Sequence, residues 1–186
     1  STTFDSLIFD SNCDNWSQFT SVFTNQIIEK ENLIFICETE TNEIFGYYLD
    51  TPAKSDSLLD TSSSSFDSFH FNFNSDGRFQ KPMKFEIKNR IKGGYHLYYS
   101  SEKELIKLGD ITIFKKGRES FIDVKAIKEQ KHFNYNEIEL PFISKDNKFI
   151  PKRIVVMQMK LSEENKNQKQ QKYIENLKTM LHEVEQ

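Results

Sequence analysis

The chain has 186 residues, 28 acidic and 25 basic, for a formal net charge of −3, with 37% hydrophobic and 13% aromatic residues. That length suits one domain able to bury its own core, and no stretch approaches the ~20 uninterrupted apolar residues of a membrane-spanning helix. Seventeen Phe against 6 Gly and 4 Pro exclude a disordered or collagen-like chain and favour sheets, where aromatic rings fit a pleated, half-buried surface.

The start, Ser1-Thr2-Thr3-Phe4-Asp5, lacks Met, a basic n-region and an apolar h-region, so a fragment or processed chain without a signal peptide is expected. Asn12, Asp14 and Asn15 are helix-capping types, and Trp16, Phe19, Phe23 and Ile27 recur at three- and four-residue spacing. The spacing predicts a helix of about four turns with one apolar stripe. Leu33–Cys37 and Ile44–Leu49, joined by Thr41-Asn42-Glu43, read as a hairpin; Gly46 inside its second strand signals a bulge or a close backbone approach.

Residues 51–65 are polar and read as a loop or lid. Phe69, Phe71 and Phe73 alternate with His70, Asn72 and Asn74, which predicts a strand with Phe inward and the polar residues outward. Met83, Phe85 and Ile87 alternate with Lys84, Glu86 and Lys88 in another strand. Gly93-Gly94 reads as a hairpin turn. Tyr95–Ser100, Asp110–Lys115 and Glu119–Val124 follow as strands, and Ile154–Leu161 as a last, well-buried one. Ser162 is a plausible N-cap, and Ile174, Leu177, Leu181 and Val184 recur at helical spacing, flanked by Tyr173 and Met180. The division expected is a β domain over 1–161 and an amphipathic helix over 162–186 that docks on the sheet or on a partner. The fold class is mostly β (α+β): a two-layer antiparallel β-sandwich with peripheral helices and a C-terminal helix.

Charge is uneven. Residues 1–77 hold 13 acidic and 2 basic residues, and residues 78–161 hold 19 basic and 10 acidic. The bland reading is two faces of one domain that neutralise each other; the sharper one is an anion-binding surface. The candidate residues for it are Lys84, Lys88, Lys115, Lys116 and Arg118, with DNA, phosphoinositide or another anionic lipid as ligand and a steep salt dependence as its mark.

Catalytic signals are missing. The histidines, His70, His96, His132 and His182, form no metal-binding pair and read as surface or edge residues. No Gly-x-Ser-x-Gly elbow is present, and Ser62–Ser65 lie in the polar loop. Cys13 and Cys37 have no zinc spacing; Cys37, inside an apolar run, reads as a buried structural thiol. No catalytic residue, no metal and no cofactor is expected, and the cytoplasm is the expected location, with the nucleus as alternative.

The ordered segments resemble the TLDc domain of oxidation-resistance proteins, as a divergent protist branch. The likeness is carried by Leu7-Ile8-Phe9-Asp10-Ser11 before the Trp16/Phe19/Phe23 segment, then Leu33–Cys37 followed by Glu43-Ile44-Phe45-Gly46-Tyr47-Tyr48. It continues through Ser68–Phe73, Ser101–Gly109 with its Ser-x-x-x-Leu-x-x-Gly pattern, and Arg153–Met159. Two places depart from the family: Asp14-Asn15 stands where a His-Gly is usual, and the glycine run is reduced to Gly109. The resemblance implies a β-sandwich, a part in oxidative-stress protection, and protein partners that include the vacuolar proton pump. It brings no agreed catalytic mechanism.

Overall fold

The computed structural model describes residues 2–54, 67–88, 95–97, 103–143, 147–171 and 174. Among these described residues eleven strands form two antiparallel sheets that pack as a sandwich. The strands are β1 (Thr2–Asp10), β2 (Leu33–Thr39), β3 (Ile44–Leu49), β4 (Phe69–Asn74), β5 (Met83–Glu86), β6 (Tyr95–Leu97), β7 (Glu104–Leu108), β8 (Ile111–Phe114), β9 (Ser120–Ile122), β10 (Lys148–Phe149) and β11 (Pro151–Leu161). One sheet has the order β1-β11-β2-β3-β4-β5, the other β10-β9-β8-β7-β6. The helices are α1 (Phe23–Ile27), α2 (Val124–Lys128) and α3, residues 163–171.

Apolar residues of both sheets fill the space between them. Phe9, Phe23, Leu33, Phe35, Phe45, Tyr47 and Phe85 come from the six-stranded side, and Leu97, Ile106, Leu108, Ile111 and Ile113 from the other. Rings meet edge-on, as Phe9 and Phe23 do at 4.9 Å and Phe45 and Phe149 at 5.3 Å, the arrangement their quadrupoles favour. The gap left among Phe23, Phe35, Ile106 and Ile113 is only about 10 Å³, room for about one water and not for a ligand.

The hairpin over residues 33–50 is present, with Ile36 opposite Gly46. The close approach expected at Gly46 is also present. A Cβ there would lie 1.9 Å from the Phe35 carbonyl oxygen and 2.4 Å from the Phe71 ring. Segment 104–108, expected to lie between two strands, is itself a strand, β7; it pairs with β6 and β8 and buries Leu105, Ile106 and Leu108.

Two expectations are corrected. The helix predicted to start near Trp16 is a short turn of helix over Phe23–Ile27. Trp16, Phe23 and Ile27 are buried as the stripe required, but Phe19 is 79% exposed. The reason lies in the capping residues themselves. Asn15 accepts from the Ser17 backbone N–H and donates to Thr20 Oγ1, while its carbonyl takes the Val22 N–H. Asp14 accepts from the Asp10 N–H and from Gln26 Nε2. Such side chains offer the backbone a local alternative to the helix.

The second correction concerns β4, whose faces are reversed. His70 and Asn72 are buried between the sheets, and Phe69, Phe71 and Phe73 line the opposite face. Since side chains alternate strictly, a choice made at one residue decides the whole strand. Here the inward polar groups are satisfied. Asn72 Nδ2 donates to the Pro141 carbonyl at 2.5 Å, and His70 Nδ1 lies 3.2 Å from the Gly46 carbonyl. On the other side the Phe71 ring covers Gly46.

β11 sits inside the larger sheet with Ile154 and Val156 inward, while Val155, Met157 and Met159 are half-buried on the far face. At its start Arg153 grips Asp10 of β1 through two nitrogens; the guanidinium holds that carboxyl below the usual carboxylate range. At its end Ser162 Oγ accepts from the Asn165 N–H as N-cap, and α3 leaves across the ends of β2 and β3. Lys169 fastens α3 there by donating to the carbonyl of buried Asp50 at 2.6 Å and to Asn32 Oδ1 at 3.4 Å. The polar loop beyond residue 54, Gly93-Gly94, Leu177, Leu181 and Val184 lie outside the described residues.

Candidate functional site

The five candidate basic residues are not brought together. Lys84 and Lys88 belong to β5 and its end, at one edge of the six-stranded sheet. Lys84 pairs with Glu86 at 3.0 Å and stands 4.5 Å over the Phe69 ring; Lys88 is exposed and its N–H donates to the His132 carbonyl. Lys115, Lys116 and Arg118 form the turn between β8 and β9, which rests on the segment that follows β1. Lys115 is buried, with Nζ donating to the Gln18 carbonyl at 2.9 Å. Arg118 donates to Gln18 Oε1 at 3.0 Å, and the Lys116 N–H to the Trp16 carbonyl. Lys115 and Arg118 therefore hold residues 16–18 in place of the missing helix.

The histidines divide. His70, expected at the surface, is fully buried against Phe133 at 4.3 Å, Tyr47 at 5.0 Å and Phe142 at 5.1 Å. Burial pushes its pKa down to about 3, although the Gly46 carbonyl opposes this, so the ring is neutral. Its buried Nε2 lies beside Gly109 and makes no hydrogen bond of ordinary geometry among the described residues, although the Leu108 carbonyl also opposes the downward shift. Gly109, at φ +53°, forms the β7–β8 turn, and a Cβ there would come within 2.7 Å of that nitrogen and 2.4 Å of the Phe133 ring.

The next residue, Asp110, is buried and joins two groups of the 131–135 segment. His132 Nδ1 bonds one carboxyl oxygen and the Tyr135 hydroxyl donates to the other at 2.8 Å. Burial raises the Asp110 pKa, against the pull of His132 and Tyr135. An imidazole oriented by a carboxylate is half of a proton-transfer relay. The other group on this carboxylate is a phenol whose pKa burial and Asp110 drive well above 10. That phenol is a donor that fixes the loop, not a nucleophile. His96 and His182 side chains are outside the described residues.

The feature of the molecule that faces outward with organised chemistry is the far side of the six-stranded sheet. Directly opposite residues share a face, so the strand register can be read across it. Leu7 pairs with Met157, Met157 with Ile34, Ile34 with Tyr48, and Tyr48 with Phe69. A second row runs Val155, Ile36, Gly46, Phe71, Lys84. Ring contacts on this face run sideways: Tyr48 to Phe69 at 5.2 Å, Phe69 to Phe71 at 6.3 Å and Phe71 to Phe73 at 4.7 Å. Leu7 and Phe73 are 55% and 52% exposed, and Ile34, Ile36, Tyr48, Phe69 and Met157 half-buried. An apolar face continuous over five strands is what marks recognition surfaces among folded domains.

At one end the face meets α3. A polar groove of about 330 Å³ is lined there by Tyr48, Asp50, Asp67, Leu161, Asn165, Gln168 and Lys169. Tyr48 is pushed up from the usual phenol range, by burial first and then by Asp50, Asp67 and Glu31, so its hydroxyl stays protonated and donates to Asn32.

This face was missed in the sequence because it depends on β4 presenting its Phe residues outward. The alternation of β2 and β11 carried no warning, since both of their faces are apolar. Among the described residues no group of three or more His, Cys, Asp or Glu side chains could hold a metal ion, and no helix is long and apolar enough to cross a membrane. No protein-family model matches the chain, and no curated protein matches its sequence.

Proposed function

We propose that the chain is a non-enzymatic recognition domain of the TLDc kind, which binds a protein partner through the outer face of its six-stranded sheet. The observation that carries this is the in-register row Leu7, Met157, Ile34, Tyr48 and Phe69 on the side turned away from the second sheet. The two-sheet sandwich is compatible with the resemblance, and the Asp110 network is accounted for as a structural fastening. The biological setting taken from the resemblance is oxidative-stress protection or regulation of a proton-pumping ATPase, with the vacuolar pump as partner and the cytoplasm as location.

The alternative, DNA or phosphoinositide binding through Lys84, Lys88, Lys115, Lys116 and Arg118, has less support. Lys115 and Arg118 are already engaged with Gln18, and the Lys84 pair lies at the far edge of the larger sheet.

The test is binding of the purified chain to vacuolar proton pump in detergent, for wild type and for Ile34→Lys and Met157→Lys. Both positions are half-buried and outward, so melting temperatures are expected to stay within a few degrees while binding weakens at least tenfold, about 1.4 kcal/mol. Absence of binding by the wild type removes the pump as partner; undiminished binding by both variants removes the face as the site.

A further inference from the structure

The outer face of the larger sheet does not end on apolar residues alone. β11 turns Val155, Met157 and Met159 to this side, and strict alternation along the strand brings Leu161 to it as well. Leu161 and Tyr48 are also the two strand residues that line the 330 Å³ groove beside α3. The groove therefore begins where the apolar face ends, and Tyr48 belongs to both.

The polar wall of this groove is built of acceptors. Asp50, directly after β3, is fully buried, with Ser68 Oγ donating to its Oδ1 at 2.8 Å. Asp67, just before β4, lines the groove too. After burial itself, the carboxylates of Asp50, Asp67 and Glu31 are what keep the proton on the Tyr48 phenol, a mark of negative potential at this end of the face.

One cation already sits there and shows what the wall accepts. Lys169 reaches in from α3, and its Nζ lies 2.6 Å from the Asp50 carbonyl oxygen, 3.4 Å from Asn32 Oδ1 and 3.8 Å from Asp50 Oδ2. The groove's volume is measured with that ammonium in place, and it falls near the lower end of the range that holds ligands. No second cationic residue lines it among the described residues. An aromatic ring beside oxygen acceptors suits a long basic side chain, whose stem packs on the ring while its head meets the oxygens. An anionic group would meet like charge.

We propose that the protein partner of the outer face brings one lysine or arginine next to its apolar contact residues, and that this side chain enters the groove lined by Tyr48, Asp50 and Asp67. The proposal rests on the reading of the face as a recognition surface and adds the chemistry of its partner by charge complementarity: an apolar segment with a basic residue at one end. The row Met157, Ile34, Tyr48 and Phe69 supplies contact area. The groove, lying at one end of the face, fixes which way round the segment lies.

The test is selection of random short peptides, displayed on phage, against the full chain. Enriched peptides are synthesised, and their binding is followed by fluorescence anisotropy to the wild type, Asp67→Lys, Gln168→Lys and Ile34→Ser/Met157→Ser. Gln168 is exposed on α3, so its variant adds a competing ammonium to the groove without disturbing the strand ends, and the face variant adds no charge. The enriched peptides are expected to share a lysine or arginine beside apolar residues, and each variant to bind them at least tenfold more weakly. Norleucine in place of the basic residue keeps the stem and removes the charge. It is expected to weaken binding to the wild type by a similar factor and to abolish the further effect of Asp67→Lys.

Enriched peptides without a basic residue overturn the proposal, and so does full binding to both groove variants; if Ile34→Ser/Met157→Ser still loses those peptides, the recognition surface stands without the groove. Peptides that need the groove and ignore the face variant overturn the joined site and remove the recognition surface instead. Selection that enriches no binding peptide overturns both.

Discussion

Gly46→Ala is expected to cost about 3 kcal/mol or more, enough to unfold much of the population of an ordinary domain. The new methyl carbon would lie 1.9 Å from the Phe35 carbonyl oxygen, a distance no rotamer change relieves because the oxygen is backbone and the position of Cβ is fixed by the backbone that carries it. Relief requires β2 and β3 to move apart, which breaks the ladder from Leu33–Leu49 to Glu38–Ile44 and opens the middle of the larger sheet. Overpacking at a site able to adjust costs ~1–3 kcal/mol; this one cannot adjust. The companion variant Gly46→Ala/Phe71→Ala removes the second clash, with the ring at 2.4 Å, and is expected to recover nothing, because the carbonyl contact remains. Urea unfolding followed by circular dichroism reads both. A Gly46→Ala chain within about 1 kcal/mol of wild type, or recovery in the double variant, would show that the strands are not packed at this register.

Acidification is expected to weaken the fold well above the range where ordinary carboxylates titrate. The His70 ring binds its proton only near pH 3 in the folded chain, against 6.5 as the ordinary value. Its pKa is lowered on folding, so the unfolded state takes up the proton first and stability falls as pH drops below 6.5. Each pH unit in that window removes about 1.4 kcal/mol, or roughly 2 kcal/mol between pH 6.5 and 5. Asp110 works in the opposite sense, since burial keeps its proton on to higher pH than in the unfolded chain. His70→Phe keeps a planar ring among Phe133, Tyr47 and Phe142 but cannot titrate. It gives up the Gly46 contact and should lose stability at pH 7, with little further loss down to pH 5. Equal urea midpoints for wild type at pH 7 and pH 5 would contradict a buried neutral imidazole.

The buried ring also explains which parts of the fold the sequence made legible. The hairpin over residues 33–50, the strand around Met83–Glu86 and the long strand toward Leu161 are set by runs of β-branched and aromatic residues with clear breakers. Those features act locally, and the structure has them. The helix near Trp16 failed because a stripe at helical spacing measures which residues go inward, and a chain of Asx turns can bury Trp16, Phe23 and Ile27 equally well. β4 failed for a related reason. Alternation announces a two-faced strand but does not say which face is inside when Phe and His compete. What decides is remote in sequence: the Pro141 carbonyl that takes Asn72, the Gly46 carbonyl beside His70, and the room above Gly46 that a Phe71 ring fills.

The basic residues illustrate the same limit. Lys115 and Arg118 looked like surface charge because nothing in the sequence shows that residue 18 would fold back to meet them. The outer sheet face was hidden for this reason too, since its central row depends on five strands coming into register across more than 150 positions of chain.

Everything proposed about recognition depends on β4 turning its phenylalanines away from the second sheet, and thiol labelling reads that directly. In a Cys13→Ser background, which removes the exposed native thiol and leaves buried Cys37, single cysteines at positions 70, 72 and 73 are challenged with a charged thiol reagent under native conditions. The account predicts rapid modification at 73 and protection at 70 and 72 until the chain unfolds. Rapid modification at 70 and 72 with protection at 73 would put the aromatic side of the strand in the core and remove the recognition face.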